Sequence, residues 1–327
     1  MSGSARARTI AALKPHPSHR VRTGDRHSAA TRRSGKIAHC GQYGSGTRSS
    51  HPRREPPLET GTGQQPPRVD ERTPNIARMY DYFLGGSAHF HTDRVAAEEF
   101  LRVYPGNTLW AQHNRSFLGR AVRELCELGI DQFLDLGSGI PTVGNVHEIA
   151  HRKNPGARVA YVDIEPVAVS HAEHMLRDTE LATITRADIR LPEQVLNAPG
   201  VAGLLDFTRP VAVLAVAILD IISVRDPRGM LATYREACAP GSALVITNGA
   251  QLTMTDAERA GIDQVMSGTT TPHVTFRDPE EIRELFAGYT LLEPGVVPSA
   301  AWRPAEPVTD EAARHSNGYA AVGIRSN

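Results

Sequence analysis

QFLDLGSGIPTVGN, residues 132–145, is the stretch whose reading decides the fold. Phe133, Leu134, Asp135 and Leu136 have strand character and run straight into Gly137-Ser138-Gly139, followed by a Pro141-Thr142 step and a segment whose composition suits a helix. A strand that stops at glycines and turns at once into a helix leaves free backbone N–H groups at the helix start, and glycine lets a ligand come close to that backbone. The pattern reads as a cradle for a nucleotide-type cofactor.

A glycine pair says little without its surroundings. The next strand-like run, RVAYVDIE over residues 158–165, ends in acid roughly 25 residues beyond the glycines, where a carboxylate can hydrogen-bond a ribose diol. Strand and helix patterns then alternate: strands at residues 132–136, 158–164, 183–187, 211–219 and 243–247, with a helix over 227–239 before the fifth. That alternation predicts an α/β, Rossmann-like, doubly wound sheet. Two further runs, 290–297 and 318–325, follow helices at 255–266 and 278–286, and predict a closing antiparallel hairpin on a seven-stranded, mostly parallel sheet.

Upstream, Ile76, Met79, Tyr80 and Phe83 recur at helical spacing before Gly85-Gly86, a second helix opens at Thr92 or Asp93, and a third runs over about residues 108–128. These predict an N-terminal helical cap over residues 71–129, ahead of a cofactor-binding domain over 130–327. Residues 1–70 carry thirteen Lys/Arg against four Asp/Glu, leaving 23 against 32 for the remainder. With few aromatic or β-branched residues, that basic stretch is expected to be disordered. It could be a solvated tail, the product of a start codon placed too far upstream, or an arm making non-specific contact with nucleic acid.

Three cysteines, Cys40, Cys126 and Cys238, lie far apart, so neither a disulfide framework nor a zinc site is indicated and a cytoplasmic setting fits. No apolar run reaches the roughly 18–20 residues that span a bilayer. His89-x-His91-x-Asp93 has a superficial metal look, but that spacing suits a solvated helix start, and no metal is expected. Ser138 lacks the G-x-S-x-G frame of a hydrolase nucleophile.

The glycine pair alone suits NAD, FAD or S-adenosylmethionine, and three details favour the last. The third glycine of the dinucleotide fingerprint is missing, with Pro141-Thr142 in its region. Asp135 lies two residues before Gly137, where it can meet an ammonium group and would repel a pyrophosphate. Asp188 ends the third strand, placed to accept from an adenine amino group. Each acid has a plainer reading, Asp135 as a cap on a loop N–H, Asp163 as a helix cap and Asp188 as a turn acid; the case rests on their coincidence at three successive strand ends. Ile164 and Ile189, next to Asp163 and Asp188, join Gly137, Ser138 and Gly139 in the candidate cofactor site.

RMYDYFLGG (residues 78–86), NRSFLGRAV (114–122), the glycine segment through Ala150 and YVDIEPVAVSHA (161–172) together resemble an actinobacterial S-adenosylmethionine-dependent methyltransferase family once catalogued as a domain of unknown function. The similarity runs from about Pro74 to the C-terminus, and GNVHEIA is its most specific part. It implies a class I methyltransferase fold and S-adenosylmethionine bound at the glycine turn. Family members often carry His-Phe where this chain has Asp220-Ile221, and Lys-Asp where it has Ser87-Ala88, so no role of that His transfers.

Methyl transfer asks mainly for in-line placement, with a base needed when the acceptor must lose a proton. Asp220, at a carboxyl end of the sheet, is the candidate base; it could instead cap a helix after Ser223. Arg78, Tyr80 and Tyr82 on the early helix could close over the cofactor, with Arg78 on its carboxylate; alternatively the two tyrosines are core with wet tips. The leading expectation is a methyltransferase acting on a small molecule. A cofactor-binding regulatory protein without transfer activity is the alternative, and a nicotinamide oxidoreductase the third. Neither the acceptor nor the oligomeric state is legible.

Overall fold

The computed structural model describes residues 69–141 and 144–326, so the expected disordered tail, residues 1–70, lies outside the described residues except for Val69 and Asp70. β1 (Gln132–Leu136), β2 (Arg158–Asp163), β3 (Ala182–Arg186), β4 (Ala212–Ala215) and β5 (Ala243–Gly249) pair in parallel in the order 3-2-1-4-5. β6 (Tyr289–Leu291) and β7 (Val297–Pro298) both pair antiparallel with β8 (Gly318–Arg325), which lies antiparallel beside β5. This is the mostly parallel sheet with an antiparallel close that the sequence predicts. The run predicted over residues 290–297 is one edge strand in two pieces, because Pro294 has no N–H to donate and Gly295 turns at φ 81°.

Period-two alternation feeds two cores. Phe133, Val159, Leu214 and Val245 face α3 (Asn107–Glu127), α4 (Val146–Lys153) and α5 (Pro166–Met175). Their neighbours Leu134, Ala160, Val213 and Leu244 face α6 (Pro192–Leu196), α7 (Pro199–Ala202), α8 (Pro227–Ala237) and α10 (Pro279–Leu285). A strand buried on both faces reads as an unbroken apolar run, which is why β4 looks longer in sequence than it is. The predicted strand 211–219 ends at Ala215, because Ala217 adopts φ 53° and gives its N–H to Thr247 Oγ1 at 2.8 Å instead of to the ladder.

A third cluster joins α1 (Ile76–Phe83), α2 (His91–Val103) and α9 (Asp256–Met266) through Met79, Phe83, Ala97, Phe100, Ile262 and Met266. The starts of these helices are chemically marked. Asn75 accepts from the Ala77 and Arg78 N–H groups, and Thr255 and Glu258 form a reciprocal capping box. α11 (Asp310–Arg314) precedes β8. No helix among the described residues is long and apolar enough to cross a membrane.

Arg78 corrects the sequence reading. Instead of facing a cofactor carboxylate it is 2% exposed, donating from Nε to Asp93 Oδ2 and from Nη1 to Glu165 Oε1, both at 2.8 Å. Its Nη2 reaches the carbonyls of Asp70 and Thr73, and its guanidinium lies over the Phe90 ring. Asp93 also accepts the Asn75 and Phe90 N–H groups. Two carboxylates therefore consume the charge that a ligand would have used, and the arginine ties α1 to the starts of α2 and α5. Arg78→Met leaves two buried carboxylates without their cation, and should lower unfolding free energy by about 3–5 kcal/mol in urea titrations.

Candidate functional site

At the carboxyl ends of β1, β2 and β4 a cavity opens with about 1350 Å³ of empty space, counted with the solvent at its mouth. Its floor is the glycine turn and the strand tips, and α1, α3, α9 and residues 271–276 form the opposite wall. Gly137 and Gly139 take φ 70° and 66°, conformations that glycine adopts without strain. The Gly137 and Ser138 N–H groups donate to Val162 O at 2.8 and 3.1 Å, which fastens the turn to β2. A Cβ at Gly137 would meet Ile218 at 2.5 Å, whereas at Gly139 nothing lies within 4 Å. The first glycine is packed from outside; the second leaves open space over the backbone.

Asp163 and Ile164 stand at the tip of β2 as predicted. Asp163 Oδ2 accepts the Gly139 N–H at 2.7 Å and Oδ1 accepts the Glu165 N–H at 2.8 Å, while burial pushes its carboxyl above the usual range. Ile164 is 55% exposed on the cavity rim. Asp135 lies beneath the turn; burial pushes its carboxyl up to about 7, with Arg115 of α3 pulling it down and Asp163 pushing it up.

Asp220 lines the same cavity at 3% exposure. Its Oδ2 accepts the Gly249 N–H at 3.1 Å, its Oδ1 has no partner, and burial raises its carboxyl to about 6. It caps no helix: α8 begins at Pro227, with Asp226 as its cap. Tyr80 joins it on the wall, its hydroxyl accepting from Asn114 Nδ2 at 2.9 Å. Asn114 Oδ1 in turn accepts from Thr247 Oγ1 at 2.7 Å, so α1, α3 and β5 share one polar chain that reaches the Ala217 N–H.

Asp188 and Ile189 are not brought to the cavity. Asp188 is held by Arg190, through Nε to Oδ1 at 2.9 Å and Nη2 to Oδ2 at 2.6 Å, and this pairing keeps its carboxyl low. Ile189 is core, its carbonyl accepting the Tyr234 hydroxyl. His89 faces Asp81 at 3.2 Å, His91 lies against Arg94, and Asp93 is spent on Arg78.

Sequence reasoning passed over Asn107, Trp110, Asn114 and Phe276, all on the wall. A trace was present: 107, 111, 114 and 118 share one face of α3, so two asparagines sit in an otherwise apolar stripe. Asp135, Asp163, Glu165 and Asp220 give the cavity four carboxylates against one basic residue, Arg115. That wall suits a ligand with positive charge and hydroxyls; a pyrophosphate would be repelled.

A family model described as S-adenosyl methyltransferase matches residues 62–326. A solved structure of a proposed methyltransferase from Thermobifida fusca YX is 39% identical, with a TM-score of 0.75 over 81% of this chain and 100% of that one. A DUF574 family protein from Streptomyces avermitilis is 32% identical, with a TM-score of 0.73 over 79% of this chain and 100% of its own. Among curated proteins none matches.

The burial that raises Asp135 makes folding stability depend on pH. Below about pH 4 it is protonated folded and unfolded. Between that value and about 7 only the folded chain keeps the proton, so its contribution to stability falls as pH rises and is gone above about 7. Asp135→Asn should flatten this part of the stability-against-pH curve, gaining on wild type by about 1.4 kcal/mol for each unit of pKa shift removed, as read by urea midpoints from acid to neutral pH.

Proposed function

The chain belongs to the S-adenosyl methyltransferase family, and from that membership we propose that it transfers a methyl group to a small-molecule acceptor held between the sheet and α1, α3 and α9. The cofactor is S-adenosylmethionine, which when bound supplies a methyl group on a sulfonium that leaves as the neutral thioether. One observation carries the reading: the open Gly139 backbone and the unpartnered Asp220 Oδ1 belong to one cavity, so cofactor and acceptor ends are continuous.

In this reading Asp163 holds the ribose hydroxyls, Ile164 lies against the adenine, and the Gly137-Ser138-Gly139 backbone with Asp135 receives the amino-acid end. Residues 71–129 act as the cap that keeps water from the reacting centre, with Tyr80 positioned by Asn114. Asp220 accepts the proton that a hydroxyl acceptor must lose. Its raised pKa favours that work, because a carboxylate near 6 is a stronger base than an ordinary one while still largely ionised at neutral pH.

Calorimetry should show S-adenosylmethionine and S-adenosylhomocysteine binding and NAD not binding, with Asp163→Ala weakening the former pair at least about 10-fold through loss of charged hydrogen bonds. Labelled methyl groups should pass into a metabolite extract, and Asp220→Asn should lower kcat by about 10²-fold or more. Cofactor binding without any labelled product would leave a regulatory binding protein. NAD binding in preference would overturn both.

A further inference from the structure

Five buried side-chain polar atoms among the described residues have no hydrogen-bond partner, and three of them, Tyr104 Oη, Asn107 Nδ2 and Asp220 Oδ1, belong to residues of this one cavity wall. Each of these residues is more than nine-tenths buried. An orphaned buried donor or acceptor carries an uncompensated desolvation cost, which a ligand supplying the missing partner recovers. The group nearest the Tyr104 hydroxyl is the Asn317 amide, whose oxygen accepts the N–H groups of Leu252, Thr253 and Met254 and whose nitrogen also donates to Thr253 Oγ1.

The surroundings of these atoms narrow the chemistry. Phe100, Trp110, Met254, Ile262, Met266 and Phe276 make the wall apolar and rich in rings and thioethers, the kind of surface on which flat aromatic ligands pack. Phe276 lies beside Gly249, whose N–H holds Asp220. The basic residue of the wall, Arg115, acts on Asp135 at the glycine end. Arg277, behind Asp220, gives Nη1 to the carbonyl of Leu219 and to Asn248. A carboxylate or phosphate on the acceptor would lie against the Asp220 carboxylate, on which Arg277 already acts, and would add a second negative charge there.

Building on the methyltransferase reading, we propose that the acceptor is an uncharged phenol with a carbonyl group at the far side of its ring, its hydroxyl on Asp220 Oδ1 and its carbonyl on Asn107 Nδ2. As the phenol oxygen bonds the methyl carbon, the pair from the broken C–S bond stays on sulfur. The O–H proton passes to Asp220 Oδ1 and from there to water. Tyr104 Oη supplies a second hydrogen-bonding group for the carbonyl end.

The test uses the full chain saturated with S-adenosylhomocysteine and titrated with 4-hydroxyacetophenone, phenol and 4-hydroxybenzoate in a calorimeter. The ketone should bind about 10-fold tighter than phenol and at least as far ahead of the carboxylate. Asn107→Leu should erase the advantage over phenol with S-adenosylhomocysteine affinity unchanged. The proposal is overturned if the carboxylate binds as well as the ketone, or if the ketone keeps its lead in the variant. Should the variant not fold, the wild-type ranking of the three compounds decides. Failure of S-adenosylhomocysteine itself to bind would instead sink the methyltransferase reading.

Discussion

The carboxylate of Asp163 divides itself between two neighbours, one oxygen on the Gly139 N–H and the other on the Glu165 N–H, and the site is assembled outward from that division. The first bond holds the glycine turn against the tip of β2. The second fixes Glu165, which caps α5 and hands its own oxygen to Arg78. Arg78 passes the connection on to Asp93 and hence to the start of α2. Five residues thus join the sheet to the helices above it through polar contacts that solvent scarcely reaches. In such surroundings each bond is strong when complete and expensive when broken, so the arrangement is held together as a unit.

The chemistry follows from where parallel strands end. At their carboxyl tips the chain must leave the ladder, and side chains that would be core one residue earlier become the floor of a crevice. Asp135 and Asp220 occupy such positions on β1 and just beyond β4. Water is excluded by α1, α3 and α9, so both carboxyls are pushed toward neutrality, to about 7 and about 6. A cation or a hydroxyl entering the crevice relieves that penalty. The apolar wall opposite supplies the complementary half, contact area with little charge.

Much of this could be read from the chain alone, and the exceptions have physical causes. Glycines flanked by an apolar strand and a capped helix mark the turn, and the acid at residue 163 marks the second strand, because both depend on neighbours in sequence. Arg78 could not be placed that way. Whether an arginine meets a ligand or two of its own acids depends on Glu165, which lies 87 positions away. Asp188 was misplaced for the opposite reason: Arg190, two residues along, folds back on it, a local pairing with the same sequence appearance as a free turn acid. Strand β4 seemed too long since burial on both faces hides the point where backbone geometry changes, at Ala217. The asparagines of α3 escaped notice because a polar residue on a helix is ordinarily solvated, and only the packed structure reveals that theirs is the inner face.

The interrupted strand beside β8 has a consequence for self-association. Open sheets invite a second molecule to extend them wherever a long row of backbone donors and acceptors lies bare. Here that margin consists of Tyr289–Leu291, a proline–glycine detour, and then Val297–Pro298, whose second residue has no N–H to offer. A visiting strand finds a ladder of no more than three residues before the detour, which leaves this margin a poor template for sheet extension.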